Sequence, residues 1–288
     1  MKARTILGIF AFLAGSGLVA SGQNLLLQWN FDEAAAGSDP TTDHGIEPKV
    51  DGRFFQDATR TSNTPAGYST GALDVTAGLN ANVLANHGHP DVDSLDGKLD
   101  NLESFTLTTW VNMRGDPAAN QRILRGGSNA GFGIRVVNPP EGNLSAGNFG
   151  VTMDLLGGGV ALDGSIDADD RWVFMALTFD SSLDSGQVRL FTGDTLSSIS
   201  ELAAADTGVS DTGELDDNFA AGRHPGVSNR GVPALLDDVR IYSGAADETF
   251  IEDIRLANIP EPGTIGLLFG AAAVTLAVVR RRSRRSLP

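Results

Sequence analysis

This 288-residue chain distributes its charge unevenly. All 36 acidic residues lie between Gln23 and Glu261, whereas seven of the 21 basic residues lie outside that region, which leaves the region with a formal charge near −22. DNA, RNA and anionic lipid need clustered Lys and Arg, so this charge argues against them as partners and is typical of a self-repelling surface or of divalent-cation binding. The chain has no cysteine, which excludes disulfides and cysteine chemistry.

Residues 1–22 have the layout of a signal peptide. Lys2 and Arg4 precede an apolar run that continues through small residues. Small side chains at the end of the segment predict cleavage after Gly22 and a mature chain that begins at Gln23. A retained membrane anchor is the alternative, but the apolar run is short and is broken by glycine and serine.

Alternation of apolar and polar residues predicts strands along the next 230 or so residues. The clearest is Phe105–Val111, the first candidate is Leu25–Phe31 and the last is Leu235–Tyr242. Arg171–Phe179 is nearly continuously apolar, which predicts a strand covered on both faces, and it forms a hairpin with Val188–Phe191. Shorter strand candidates are Arg122–Leu124, Gly131–Val137 and Phe149–Leu155. Residues 72–75 are a short apolar piece, and Asp247–Leu256 is expected to form a short helix.

Two regions between these strands read as loops. The segment after Phe31 is rich in turn residues up to Thr70, and residues 81–99 form a long loop that contains His87 and His89. Two histidines at this spacing suit a transition metal, and a hydrated loop is the alternative. Gly157, Gly158 and Gly159 are expected to form a flexible turn.

Residues 259–288 join a Pro-Glu-Pro triplet, an uncharged run and an arginine cluster. Pro260, Glu261 and Pro262 end regular structure, because each proline lacks an N–H group. As a helix, residues 264–279 would span about 24 Å, short of a bilayer core of about 30 Å unless the arginines snorkel. A plain membrane anchor needs only this run and the basic tail of Arg280, Arg281, Arg282, Arg284 and Arg285, which stays on the cytoplasmic side.

The order of these features resembles the PEP-CTERM sorting signal of Gram-negative bacteria. The resemblance implies export through the secretion translocon, recognition of residues 259–288 by a membrane-embedded exosortase, and cleavage near Pro260, Glu261 and Pro262. The product would then reach the cell surface or the extracellular matrix. On this interpretation a signal helix and a transmembrane sorting helix flank one domain, residues 23–258.

The many short strands predict an all-β domain, a two-sheet antiparallel β-sandwich or jelly roll. Several segments resemble, in order, the laminin-G-like domains of the concanavalin A-like superfamily: Trp29–Glu33, Phe105–Val111, Arg122–Leu124, Arg171–Val173 and Leu236–Tyr242. The fold that the resemblance implies is shared by non-catalytic domains that bind glycan or matrix ligands and by enzymes, and binding is favoured because only site residues could argue for catalysis. The chain lacks the histidines usual after Trp172, so the ligand loops of the family are not carried over.

The same resemblance implies one structural Ca²⁺ near the ends of the first and last strands. Asp32 closes the first strand, and Asp237 alternates with Val239 and Ile241 on the expected buried face of the last. Carboxylate oxygens are the ligands that Ca²⁺ prefers. Asp32, Asp237 and Asp238 are therefore the predicted ligands. In the alternative, Asp237 pairs with an arginine and Asp32 serves a turn.

No residue is predicted to be catalytic. The Glu-x-Asp-x-x-Glu strand of the superfamily's glucanases does not occur, and the nearest carboxylates are expected on a solvated helix face: Glu248, Glu252 and Asp253. Trp29, Trp110 and Trp172 lie within strand patterns, which favours core positions over stacking on sugars. A secreted glycoside-active enzyme and a purely structural matrix component remain the alternatives to a binding protein.

Overall fold

A computed structural model of the chain describes residues 23–33, 41–65, 69–78, 80–85, 95, 97–128, 130–139, 147–156, 158–215 and 218–257. The predicted signal peptide, the two loop histidines at 87 and 89, and the predicted sorting segment lie outside the described residues. Predictions that concern those segments therefore stay predictions.

The described residues form two antiparallel sheets. The first sheet has eight strands in the order β13-β12-β11-β6-β15-β4-β3, with β1 also paired to β15, and the second has seven in the order β10-β9-β8-β7-β14-β5-β2. The strands are β1 Leu25–Trp29, β2 Arg53–Phe55, β3 Thr59–Thr61, β4 Ala72–Asp74, β5 Asn82–Ala85, β6 Ser104–Met113, β7 Arg122–Gly126, β8 Phe132–Val137, β9 Asn148–Leu155, β10 Gly158–Asp167, β11 Val173–Asp180, β12 Val188–Asp194, β13 Ser200–Ala205, β14 Phe219–Ala221 and β15 Ala234–Ser243. The predicted all-β antiparallel sandwich is confirmed.

Helix α1, Glu248–Ala257, packs against part of the outer face of the eight-stranded sheet. Asp247 caps this helix by accepting the Phe250 N–H at 2.8 Å. Ile251 and Ile254, three residues apart, are buried on one side of the helix in an apolar cluster with side chains from the sheet below. Within the described part of the chain, no helix is long and apolar enough to cross a membrane.

The expectation that β11 is covered on both faces is confirmed. Its alternate residues contribute to two different clusters, because Met175 and Leu177 lie in the core between the sheets while Phe174 and Ala176 lie in the cluster with the helix. The predicted hairpin of β11 and β12 is also confirmed. The three tryptophans are all buried, as predicted, so none is available to stack on a sugar.

The expected glycine turn is corrected in part. Gly158 and Gly159 begin β10 and pair with Leu155 and Asp154 of β9. A glycine can be a strand residue where a neighbouring side chain needs the space of its missing Cβ. The glycine triplet was therefore a poor guide to the boundary of the turn.

Asp43 fastens the turn-rich segment after β1 to the rest of the sandwich. Its carboxylate accepts the N–H groups of Gln28 at 3.0 Å, Gly45 at 2.7 Å and Val50 at 3.0 Å. The Lys98 ammonium group lies 2.8 Å away, and both side chains of this ion pair are almost completely buried. One carboxylate thus satisfies three backbone donors and one buried cation.

Replacing Asp43 with Ala is expected to lower the free energy of unfolding by about 3–5 kcal/mol, because the Lys98 ammonium would be left buried without its carboxylate. Denaturant unfolding measures the change. Asp167→Ala is the control, since it removes an aspartate that is 63% exposed and pairs with Arg171 at 3.5 Å, and such pairs contribute about 1 kcal/mol or less. Equal losses in the two variants would contradict the structural role given to Asp43.

Candidate functional site

The two sheets differ in what lies on their outer faces. Whereas the eight-stranded sheet is covered by the apolar cluster under α1, the seven-stranded sheet carries arginines on the face opposite the core. We call this region the arginine surface. It consists of two arginines of β7, one of β8 and two of the neighbouring loop 222–231, namely Arg122, Arg125, Arg135, Arg223 and Arg230.

A β-bulge in β7 creates this surface. Arg122 and Arg125 are three residues apart, which in a regular strand would place them on opposite faces. The register with β8 shifts between Arg122 and Leu124, and Ile123 and Leu124 both contribute to the core. The extra residue in the bulge restores both arginines to the outer face.

Asp154 of β9 joins the arginines on this face. Arg122 Nε donates to it at 2.7 Å, and Arg135 Nε lies 3.3 Å from its other oxygen. Arg125 Nη1 lies 3.8 Å away. Three guanidinium groups thus share one carboxylate. Burial lowers the pKa of Arg122 to about 10, even though Asp154 acts in the opposite direction.

Two glycines let the arginine side chains lie along the sheet. A Cβ at Gly133 would lie 3.2 Å from Arg125 Cδ and 2.9 Å from its Cα, and a Cβ at Gly159 would clash with the Arg135 guanidinium group. Both glycines occupy outer-face positions beside the arginines. Their missing side chains provide the space in which the arginine stems pack.

The loop 222–231 completes the surface around His224. Arg122 N–H donates to the Arg230 carbonyl oxygen at 2.8 Å, which holds the loop beside β7. His224 Nδ1 accepts the Gly226 N–H at 3.2 Å. Burial, followed by the positive charges of the surrounding arginines, lowers the pKa of the His224 imidazole to about 4. His224 is therefore neutral at pH 7, and its lowered pKa reflects first its burial and then the positive charges around it.

The structure brings the three predicted calcium ligands together. The pKa of Asp237 is raised well above its ordinary value, mainly by burial and also by the charges of Asp238 and Asp32. Each of the three carboxylates has protein donors. Asp237 accepts the Ser69 hydroxyl and the Asp238 N–H, and Asp32 accepts the N–H groups of Thr70 and Gly71.

Asp238, rather than Asp237, pairs with an arginine. Its Oδ1 accepts Arg240 Nε at 2.8 Å and Gln28 Nε2 at 2.9 Å. The prediction that Asp237 shares a face with Val239 is wrong, because β15 has a register shift between Asp237 and Arg240, with Asp238 at a φ of 47°. Asp237 is buried as predicted, but it lies opposite Trp110, whose side chain is in the cluster with α1.

In the described ranges there is no group of three or more His, Cys, Asp or Glu side chains with the geometry to hold a metal ion. Protein donors already occupy oxygens of all three predicted ligands, so the arrangement as it stands does not form a calcium cage. The calcium site stays a prediction from the sequence.

Two antiparallel sheets packed face to face, with long strands in Greek-key-like order, define the jelly-roll class of β-sandwich. Residues 84–252, more than half of the chain, match the Laminin_G_3 family, described as the concanavalin A-like lectin/glucanases superfamily. The chain belongs to this family, which confirms the laminin-G-like part of the resemblance. A search of curated protein sequences finds no match.

Two solved structures support the same fold at low sequence identity. The binding domain of botulinum neurotoxin serotype D aligns with a TM-score of 0.51 and 12% identity over 80% of this chain and 51% of that one. The serotype G binding domain aligns with a TM-score of 0.50 and 11% identity over 80% and 50% of the two chains. This chain thus spans about half the length of those two proteins. Domain 4 of an extracellular arabinanase from Geobacillus stearothermophilus, solved with arabinotriose, aligns over 81% and 98% with 14% identity and a TM-score of 0.49.

Calcium binding is tested by thermal melting. If Ca²⁺ binds at Asp32, Asp237 and Asp238, calcium at about 100 times its dissociation constant stabilises the wild-type fold by about 2.7 kcal/mol. Asp237→Asn, which keeps the side-chain shape, is expected to remove that gain. A melting temperature unchanged by both EGTA and added calcium would eliminate the site.

The pH dependence of stability tests the burial of Asp237 independently of metal. Because the pKa of Asp237 is raised in the folded state, the folded chain keeps a proton that the unfolded chain releases above the ordinary pKa of 3.8. The free energy of unfolding therefore falls as the pH rises from the ordinary pKa of 3.8 to the raised pKa of the folded state. In EGTA, Asp237→Asn is expected to remove this fall, so that its stability relative to wild type increases from pH 4 to pH 7. A constant difference would contradict the raised pKa.

Proposed function

We propose that this chain is an exported surface or matrix protein whose sandwich domain binds a glycan or matrix polymer without cleaving it. The observation that carries the proposal is the arginine surface, a polar sheet face in a member of a lectin and glucanase superfamily. The apolar cluster under α1 covers the corresponding face of the other sheet. The arginine surface is therefore a sheet face outside the apolar cluster under α1, and its guanidinium groups are hydrogen-bond donors.

Binding is favoured over hydrolysis by the state of the carboxylates. Glycoside hydrolysis needs two carboxyl groups, about 5–5.5 Å apart in retaining enzymes and about 6.5–9.5 Å apart in inverting ones. On the arginine surface, the oxygens of Asp154 face the guanidinium groups of Arg122 and Arg135. Asp237 has the raised pKa expected of a general acid, but it is 1% exposed and both its oxygens accept hydrogen bonds. A substrate would not reach it without rearrangement.

Export and sorting complete the proposal. Their support comes from the sequence, since residues 1–22 have the layout of a signal peptide and residues 259–288 join Pro260, Glu261 and Pro262 to an apolar run and an arginine tail. An exosortase in the membrane would remove the tail after translocation. The sandwich would then be released to the surface or the matrix, where it would bind a polysaccharide or another matrix polymer.

A glycan array probed with the purified protein tests the binding function. We expect retention on at least one class of polysaccharide and no release of reducing sugar from any bound glycan. Release of reducing sugar would replace binding with glycoside hydrolysis as the function. Failure both to bind and to cleave would instead favour a purely structural matrix component.

Mass spectrometry of surface material from the native host tests the sorting proposal. We expect a mature N-terminus at Gln23 and a C-terminus near Pro260–Pro262, with no peptide from residues 264–279. Whole membranes from the same cells serve as the control, because the unprocessed precursor should yield those peptides there. Recovery of residues 264–279 from the surface fraction would leave a simple membrane anchor in place of sorting.

A further inference from the structure

We propose that the arginine surface binds acidic glycans, through the carboxylate or sulfate groups of uronic acid or sulfated polysaccharides. This inference rests on the proposed glycan-binding function and specifies its ligand class. The residues assigned to direct contact are Arg135, Arg223 and Arg230, which are partly exposed, above the buried Arg122.

The first argument is the concentration of positive charge on a strongly acidic chain. The chain has a formal net charge of −15, yet five of the twelve arginines between Gln23 and Asn258 lie on the arginine surface. Chance placement on a self-repelling acidic surface would scatter them. Asp154 is the carboxylate with which three of them form ion pairs.

The second argument is the state of the two loop arginines. Arg230 forms no ion pair with any residue that the structure describes. Arg223 Nε is buried without a hydrogen-bond partner among those residues, and its two other nitrogens make only long contacts, of 3.4 and 3.5 Å, to backbone carbonyl oxygens. Buried guanidinium donors are normally satisfied. An anionic group bound at this loop would pair with Arg230 and with the partly exposed guanidinium group of Arg223.

The third argument is the mutual repulsion of the arginines. Arg135 and Arg230 act on Arg122, and Arg122, Arg125, Arg223 and Arg230 all act on His224. Holding like charges close together in a partly desolvated region costs free energy. A bound anion offsets that cost, because it reduces the repulsion between the arginines. The free energy released contributes to the affinity for the anion.

The chemistry of the side chains favours a carboxylate or sulfate on a sugar. A guanidinium group presents two parallel donors that match the two oxygens of such a group. The partly exposed guanidinium groups are those of Arg135 on the sheet and of Arg223 and Arg230 in the adjoining loop, so charges repeated along a polymer would meet more than one of them. Nucleic acid fits less well, because a duplex needs many basic contacts along its length and the rest of the chain is acidic.

The experiment compares two double variants of the full chain that remove equal charge. Arg223→Gln with Arg230→Gln alters the arginine surface, and neither side chain forms an ion pair within the described residues. Arg171→Gln with Arg189→Gln is the matched control, because these side chains are 52% and 44% exposed and lie outside the arginine surface. Thermal melting and far-ultraviolet circular dichroism are used to check that both variants remain folded.

Affinity is measured by calorimetry for hexagalacturonate, dextran sulfate, neutral dextran and a single-stranded oligonucleotide. We expect an acidic glycan to bind the wild type and the control alike, and to bind the Arg223/Arg230 variant about tenfold or more weakly, since each lost charged hydrogen bond contributes roughly one such factor. Arg135→Gln should weaken binding in the same direction.

Four outcomes would overturn the inference. If neutral dextran bound as tightly as the acidic glycans, or if the two double variants lost equal affinity, the arginine surface would be rejected as an acidic-glycan site. Glycan binding itself would remain. If the oligonucleotide bound as tightly as the acidic glycans, the ligand class would be polyanions in general and not acidic glycans. Absence of binding to every glycan tested would remove the proposed function as well.

Discussion

The contact of the two sheets through one line of aromatic rings is the constraint on which the other features depend. Trp29 of β1 lies 5.5 Å from Phe219 of β14, measured between ring centroids, and Phe219 lies 6.3 Å from Phe132 of β8. Phe132 in turn lies 4.5 Å from Phe105 of β6, and Phe105 lies 5.7 Å from Phe179 of β11. The line passes from one sheet to the other and back, so both inner faces are committed to the core. Side chains that bind a ligand or react must then lie on an outer face, at a sheet edge or in a loop.

Much of the fold could be predicted because this packing leaves a period-two pattern in the long strands. The alternation of Phe105, Leu107 and Val111 in β6, and the continuous apolar run of β11, both follow from which neighbours cover each face. The pattern failed where a strand contains a bulge. In β15 the register shift after Asp237 separates it from the face of Val239, and no sequence rule marks that position.

A strand bulge also prevented prediction of the candidate site, and so did the overall charge of the chain. The bulge between Arg122 and Leu124 puts two arginines on one face that simple alternation assigns to opposite faces. The total charge of the chain also concealed the cluster, because a sum says nothing about where charges meet in space. Asp43 illustrates a third limit, since a residue typical of turns binds Lys98, 55 residues later, as well as three backbone donors. Such long-range pairings are decided by the tertiary fold and not by local propensity.

The position of the arginine surface on an acidic protein separates two electrostatic effects by distance. A polyanion that approaches from far away meets the field of the whole region from Gln23 to Glu261, with its formal charge near −22, and is repelled. Only within about a Debye length, about 10 Å at 0.1 M ionic strength, do the guanidinium groups dominate. Moderate salt therefore screens the repulsion before it weakens the close contacts, so that association would be fastest at intermediate ionic strength. Such a protein would capture acidic polymer in saline surroundings and be slow to do so in fresh water.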